Sequence, residues 1–249
     1  MFCNQCEQVS KGTGCVDLGV CGKDEDVQSL QETLLYGLKG MAAYAHHARR
    51  LGKVDEGVNA FIEEALFSTV TNVNFDIESL FGLVLECGKQ NLRVMEMLDQ
   101  GHVERFGKPT PVTVKEGTQA GPGILVTGHD MVDLVNLLEQ TKGTGVNVYT
   151  HGEMLPAHMY PKLGDHPNLA GHYGDAWQKQ RGEFTAFPGP ILANTNCVVI
   201  PREAYGDRMY TINPVAVPGG KQITEDELSV VVERAKALPA CEENVTRES

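Results

Sequence analysis

Ile124-Leu125-Val126-Thr127-Gly128-His129-Asp130 decides the fold. Four consecutive aliphatic or β-branched residues stopped by glycine read as a short strand covered on both faces, because a half-wet strand would alternate with polar residues. The period then changes. Val132, Leu134, Val135, Leu137 and Leu138 fall at helical spacing between Asp130 and Gln140. Lys142-Gly143-Thr144-Gly145 turns the chain, and Val146-Asn147-Val148-Tyr149-Thr150 forms a second strand. Pro190-Ile191-Leu192-Ala193-Asn194-Thr195 reads as a third, Tyr210 to Val217 as a fourth, and Thr224 to Leu238 as a closing helix. Strands alternating with helices imply a Rossmann-like parallel α/β domain over residues 124–240.

Upstream the pattern is helical. Val27, Leu30, Leu34, Leu38, Met41, Ala45, Ala48 and Leu51 recur in steps of three and four, and Val58, Phe61, Ile62, Ala65, Leu66 and Val70 repeat the pattern. After a turn at Thr71-Asn72-Val73-Asn74, Asp76 is placed to cap a third helix, Ile77 to Asp99, with Gly101 as its stop. Three amphipathic helices on short connections make a three-helix bundle. Residues 1–26 precede it as an irregular loop with four cysteines, so residues 1–106 form the first domain. Pro109, Pro111, Gly117, Gly121, Pro122 and Gly123 mark 107–123 as a linker. Residues 241–249 are polar and expected to fray. The expected architecture is multi-domain α and α/β.

The 249 residues are 41% hydrophobic and 22% charged, values that exclude a disordered or collagen-like chain. Twenty-one basic residues against 33 acidic give a net charge of −12. That charge excludes nucleic acid and anionic membrane surfaces as partners, which need a cationic face. No apolar run approaches the roughly 20 residues of a membrane span. Met1-Phe2-Cys3-Asn4-Gln5-Cys6 has no secretory character, so the expected setting is cytoplasmic.

Seven cysteines, an odd number without an export signal, argue against a disulfide framework. Four fall in one run, Cys3-x2-Cys6-x8-Cys15-x5-Cys21, amid Gly12, Gly14, Gly19 and Gly22. Thiolates are soft ligands, and the candidates are zinc and iron–sulfur. Zinc loops usually present two separate Cys-x2-4-Cys pairs, whereas one compact loop feeding four cysteines to one object fits a cubane.

In a parallel sheet, ligands bind beyond the carboxyl ends of the strands. Here the first strand leads into His129, the second into His151-Gly152-Glu153-Met154 and the third into Asn196-Cys197. Imidazole, carboxylate and thiolate reach one edge, a mixed set suited to a transition metal. Taken singly, His129 could neighbour a helix cap, Glu153 could complement a helix N-terminus and Cys197 could be a small buried apolar residue. Cys87 reads as core and Trp177 as packing. His151, His158, His166 and His172 cluster around the second crossover, and spacing selects none of them. No G-x-G-x-x-G follows the first strand, and no P-loop motif occurs.

Met1-Phe2-Cys3-Asn4-Gln5-Cys6-Glu7-Gln8, Lys11-Gly12-Thr13-Gly14-Cys15 and Gly19-Val20-Cys21-Gly22-Lys23 resemble the opening of the hybrid-cluster (prismane) protein family, also called hydroxylamine reductases. Leu125 to Asp130, Val148 to His158 and Thr195-Asn196-Cys197 are similar to three ligand segments of that family's second site. The resemblance covers essentially the whole chain. It implies a 4Fe-4S cluster on Cys3, Cys6, Cys15 and Cys21, and a hybrid iron–sulfur–oxygen cluster bound by His129, Glu153 and Cys197. It also implies an oxidoreductase that reduces hydroxylamine or nitric oxide with electrons from a redox donor protein. Glu153 is expected to loosen for substrate and His129 to stay fixed. Two departures matter. There is one helical bundle, as in the family's shorter members, and the third domain's further cysteines, glutamate and lysine have no match after Cys197, where the one remaining cysteine, Cys241, fits none of those motifs. The hybrid-cluster ligand set is therefore incomplete here, and a second chain is one source of the rest. The competing expectation is a truncated or split, non-catalytic 4Fe-4S electron-transfer protein.

Overall fold

The computed structural model describes residues 1–195 and 197–248; Asn196, in the third ligand segment, and Ser249, in the tail, lie outside the described residues. The chain divides into two compact units, Met1–Arg105 and Phe106–Ser249.

The first unit opens with the cysteine loop, which contains a short 3-10 turn at Ser10–Gly12. Three helices follow, α1 (Glu25–Arg50), α2 (Glu56–Ser68) and α3 (Ile77–Phe106). Carboxylates start them. Asp24 accepts from Val27 N at 2.9 Å, Asp55 from Val58 N at 3.0 Å and Asp76 from Ser79 N at 3.0 Å. Their apolar faces share one core of Leu34, Leu38, Met41, Val58, Phe61, Ala65, Cys87 and Val94. The third helix runs past Gly101, contrary to the expected stop. That residue is glycine because a Cβ there would lie 2.9 Å from Leu51 Cβ, so it permits close helix approach instead of ending the helix. Gly107, at φ 92°, follows the last helical residue and supplies the left-handed termination.

In the second unit the described residues form an eight-stranded sheet. In chain order the strands are β1 (Lys115–Thr118), β2 (Gly123–Thr127), β3 (Asn147–His151), β4 (Leu169–His172), β5 (Ile191–Ala193), β6 (Met209–Ile212), β7 (Lys221–Ile223) and β8 (Asn244–Glu248). Their spatial order is β7-β6-β5-β2-β3-β4-β1-β8, all pairs parallel except β1 with β8. The helices are α4 (Met131–Thr141), α5 (Pro161–Gly164), α6 (Gln180–Ala186), α7 (Glu203–Gly206) and α8 (Leu228–Ala237).

Two segments differ from the expectation. Residues 107–123, read as a linker, contain β1, and residues 241–249, read as a frayed tail, contain β8, which pairs with it. Lys115-Glu116-Gly117-Thr118 carries no large apolar side chain although β1 lies between β4 and the edge strand β8, so periodicity could not find it. Cys241 is likewise buried in the core with Leu125, Tyr149, Phe184, Phe187, Ile191 and Met209. Its backbone exchanges hydrogen bonds with Gly121 at 2.8 and 3.1 Å. Trp177, expected to pack, is 44% exposed.

β2 is the pivot. Its residues 124–126 are fully buried, as an uninterrupted apolar strand should be. The chain winds from β2 outward through β3 and β4, then jumps back across β2 to β5 and outward through β6 and β7. The gap beyond the carboxyl ends of β2 and β5 is therefore the topological switch point, where open α/β sheets bind ligands.

Candidate metal centres

Pair registry levels the strand ends. Thr127 of β2 sits opposite His151 of β3 and Ala193 of β5. The next few residues of each strand leave the sheet at the same height. His129, Glu153 and Cys197 emerge there, with one ligand atom from each lying within 4.8 Å of the others. The structure thus brings together the three residues singled out from the strand ends.

The chain is shaped to hold them. Gly128 adopts φ 132°, and a Cβ there would lie 2.6 Å from Thr195 Oγ1 and closer still to Asn194 Oδ1. Only glycine lets β2 turn against the end of β5. Asn194 Oδ1 accepts from His129 N at 3.1 Å, and Asn194 Nδ2 donates to Asp130 O at 2.7 Å, tying the two strand ends together. Asp130 then caps α4, accepting from Val132 N at 2.7 Å and Asp133 N at 3.0 Å. His129 Nδ1 lies 2.7 Å from Thr195 Oγ1, which directs Nε2 to the Glu153 carboxylate. Cys197 takes φ 65°, and Gln180, nearly fully buried on α6, donates from Nε2 to its carbonyl while accepting from Val199 N at 3.3 Å.

Burial, and then the Glu153 charge, push the Cys197 thiol above its usual range. Two anionic ligands side by side are unfavourable until a cation lies between them. An imidazole, a carboxylate and a thiol converging on one point fit a transition metal by donor chemistry. The Glu153 side chain is 63% exposed and that of His129 36%, so the constellation faces outward on one side.

Behind the rim lies a buried histidine network. His151 is engaged at both ring nitrogens, by Thr127 Oγ1 at 3.2 Å and Glu183 Oε2 at 2.8 Å. Thr150 Oγ1 lies 2.8 Å from both His158 Nε2 and His172 Nδ1. Burial pushes His158 and His172 down to about 4. His166 is buried apart, on the α5–β4 turn, with Nδ1 accepting from Asn168 N at 3.2 Å. Sequence reasoning missed Asn194, Gln180 and Glu183. Each is a lone polar residue in an otherwise ordinary segment, and none carries a motif.

The N-terminal loop is closed by Cys3 and Cys15, whose backbones exchange hydrogen bonds at 2.9 and 2.8 Å. Cys3, Cys6, Cys15 and Cys21 are all free thiols; Cys15 is buried and the others half-buried. Backbone amides of Ser10 and Val20 bond the Cys15 sulfur and hold its thiol below the usual range, with Lys23 adding a smaller push the same way. Four free thiols on one loop, one of them already served by amide donors, fit a thiolate-bound cluster.

The sequence pattern of the Prismane/CO dehydrogenase family matches residues 1–81 and 76–248. A hydroxylamine reductase of Moorella thermoacetica is 58% identical over 243 residues, covering 98% of this chain and 57% of that protein. Hydroxylamine reductases of Thermotoga maritima and Methanothermobacter thermautotrophicus are 50% and 45% identical over 98% of the chain, covering 56% and 57% of their own lengths. The chain thus spans little more than half the length of these relatives. Among solved structures, carbon monoxide dehydrogenase IV from Carboxydothermus hydrogenoformans superposes with a TM-score of 0.70 at 15% identity, over 95% of this chain and 54% of that one. Carbon monoxide dehydrogenase from Thermococcus sp. AM4 gives 0.67 at 15% identity, over 95% and 53%. These structural likenesses concern the fold. No helix among the described residues is long and apolar enough to cross a membrane.

Proposed function

The chain belongs to the Prismane/CO dehydrogenase family, and on that premise we propose that it is the cluster-carrying part of a hydroxylamine reductase-type iron–sulfur oxidoreductase. Cys3, Cys6, Cys15 and Cys21 would hold a 4Fe-4S cluster that passes electrons inward from a redox donor protein. His129, Glu153 and Cys197 would hold one side of a hybrid iron–sulfur–oxygen cluster. When bound, that cluster supplies an open iron position and electrons for cleaving an N–O bond. Hydroxylamine, two electrons and two protons would give ammonia and water, with nitric oxide as the other candidate substrate.

The convergence of three unlike ligands at the switch point carries this reading. The residues divide the work by chemistry. Cys197 offers the soft ligand, on a backbone turn pinned by Gln180. His129 is fixed through both its ring and its backbone, by Thr195 and Asn194. Glu153 is the exposed member, free to swing aside and open a position for substrate. In the metal-free chain the Glu153 carboxylate and His129 Nε2 contact each other directly. His151, with both nitrogens engaged, anchors the end of β3. The remaining ligands would come from the part of the relatives' length that this sequence does not span, in the same polypeptide or in a second chain.

The experiment is hydroxylamine turnover with a reduced dye, using anaerobically prepared protein carrying the remaining relative-length sequence. Glu153→Gln should abolish ammonia production while leaving the N-terminal cluster's spectrum intact. Unchanged turnover would refute the assignment.

A further inference from the structure

Lys23 lies two residues beyond Cys21 and is only 4% exposed. Its ammonium donates to one neutral acceptor, Gln31 Oε1, at 2.9 Å, and among the described residues no carboxylate pairs with it. Burying an ammonium against a single amide is unfavourable, and such a charge persists where an opposite charge stands near. Carboxylate is not that charge. Glu32, the acid in the same cavity wall, accepts from Gln28 Nε2 at 2.8 Å.

The thiols are adjacent. Gly19 N donates to Lys23 O at 2.7 Å, closing a tight turn around Cys21. A Cβ on Gly19 would lie 3.1 Å from Cys21 Sγ and 3.2 Å from Lys23 Cβ, so sulfur and lysine press on the same residue. Lys23 and Cys3 also line one cavity of about 170 Å³ with Gln28 and Gln31. Gln28 Oε1 is buried there without a partner, and Gln31 is held by Asn74 O at 3.0 Å, which orients its own oxygen to the lysine. The ammonium is therefore fixed in place.

We propose that Lys23 is the buried counter-cation of the N-terminal cluster, setting its reduction potential without ligating iron. This rests on the assignment of Cys3, Cys6, Cys15 and Cys21 as ligands. In one-electron reduction, one reduced viologen radical cation gives up an electron and becomes the dication, and the cluster gains one negative charge. A fixed positive charge nearby stabilises the more negative state, more strongly in a buried setting than in water. Lys23 thereby raises the potential and makes the cluster easier to reduce.

The test is a viologen-mediated redox titration of the anaerobically reconstituted chain and its Lys23→Met, Lys23→Gln and Lys23→Arg variants, read by electron paramagnetic resonance. At fixed potential the two neutral variants should lower the reduced-to-oxidised ratio about tenfold, equivalent to about 59 mV for one electron, while Lys23→Arg stays near the parent. Loss of iron from both neutral variants with full iron in Lys23→Arg also supports the proposal. An unmoved ratio at full iron content overturns it, as does loss of iron in all three variants. A parent chain that binds zinc or no metal at these cysteines overturns the ligand assignment and the counter-cation with it, whereas a cluster with an unmoved potential overturns Lys23 alone.

Discussion

Thr195 Oγ1 stands 2.7 Å from Nδ1 of His129. With a metal bound at Nε2, that hydroxyl would accept from Nδ1–H and hold the ring toward Glu153 and Cys197, as outer hydrogen bonds do for metal-binding histidines. Thr195→Val should weaken metal binding at this centre about 10- to 100-fold, and Thr195→Ser should restore it. Cobalt titration of the two variants by absorbance reads the difference; equal affinities would remove Thr195 from the site.

Gly128 carries a backbone constraint. With φ 132° and no room for a Cβ beside Thr195, Gly128→Ala must push the β2 and β5 ends apart. The expected cost is about 2 kcal/mol or more, with the variant losing cobalt binding before it loses fold. Calorimetry and the same titration separate the two effects.

Acid should unfold the second unit early. His158 and His172 sit near 4 in the fold, with burial the leading cause, while the unfolded chain protonates them near 6.5. The unfolded state therefore binds more protons between those values. Stability is full above about pH 6.5 and falls as pH drops toward 4, by roughly 3 kcal/mol for each histidine at most. Urea unfolding at pH 7.5, 6 and 5 measures the slope. His172→Gln should flatten it, and an unchanged slope would contradict the burial argument.

Cys87 and Cys241 are buried, 5% and 4% exposed, and desolvation raises both thiols, Cys241 to about 11. Neither should react with iodoacetamide in the folded, metal-free chain, while the half-buried Cys3, Cys6 and Cys21 should. Peptide mass mapping before and after urea checks the order. Rapid labelling of Cys241 in the native protein would place it outside the core.

The sequence announced the pivot strand and the ligands beyond it because a fully buried parallel strand and glycine-terminated ends leave a local mark. Ile124 to Thr127 is a short apolar run ended by glycine and lies at the centre of the sheet. It did not announce β1, β4, β7 or β8. Leu169-Ala170-Gly171-His172 has too few residues for a period, and β8 is polar because one long edge faces water. The burial of Cys241 was equally illegible, since it comes from Leu125, Tyr149, Phe184 and Phe187, all distant in sequence, rather than from its own neighbours. Three ligands could be named from their positions after strands. What orients them, Asn194, Thr195 and Gln180, depends on strands 60 residues apart in sequence coming to one level, as the 65- and 66-residue separations of the His129 bonds show.

Iron stoichiometry tests the central claim most directly. The anaerobically reconstituted chain should bind about four irons with matching sulfide at the N-terminal loop, and Cys3→Ser combined with Cys15→Ser should abolish that complement. Zinc in place of iron, or an iron content untouched by the cysteine variants, would contradict it.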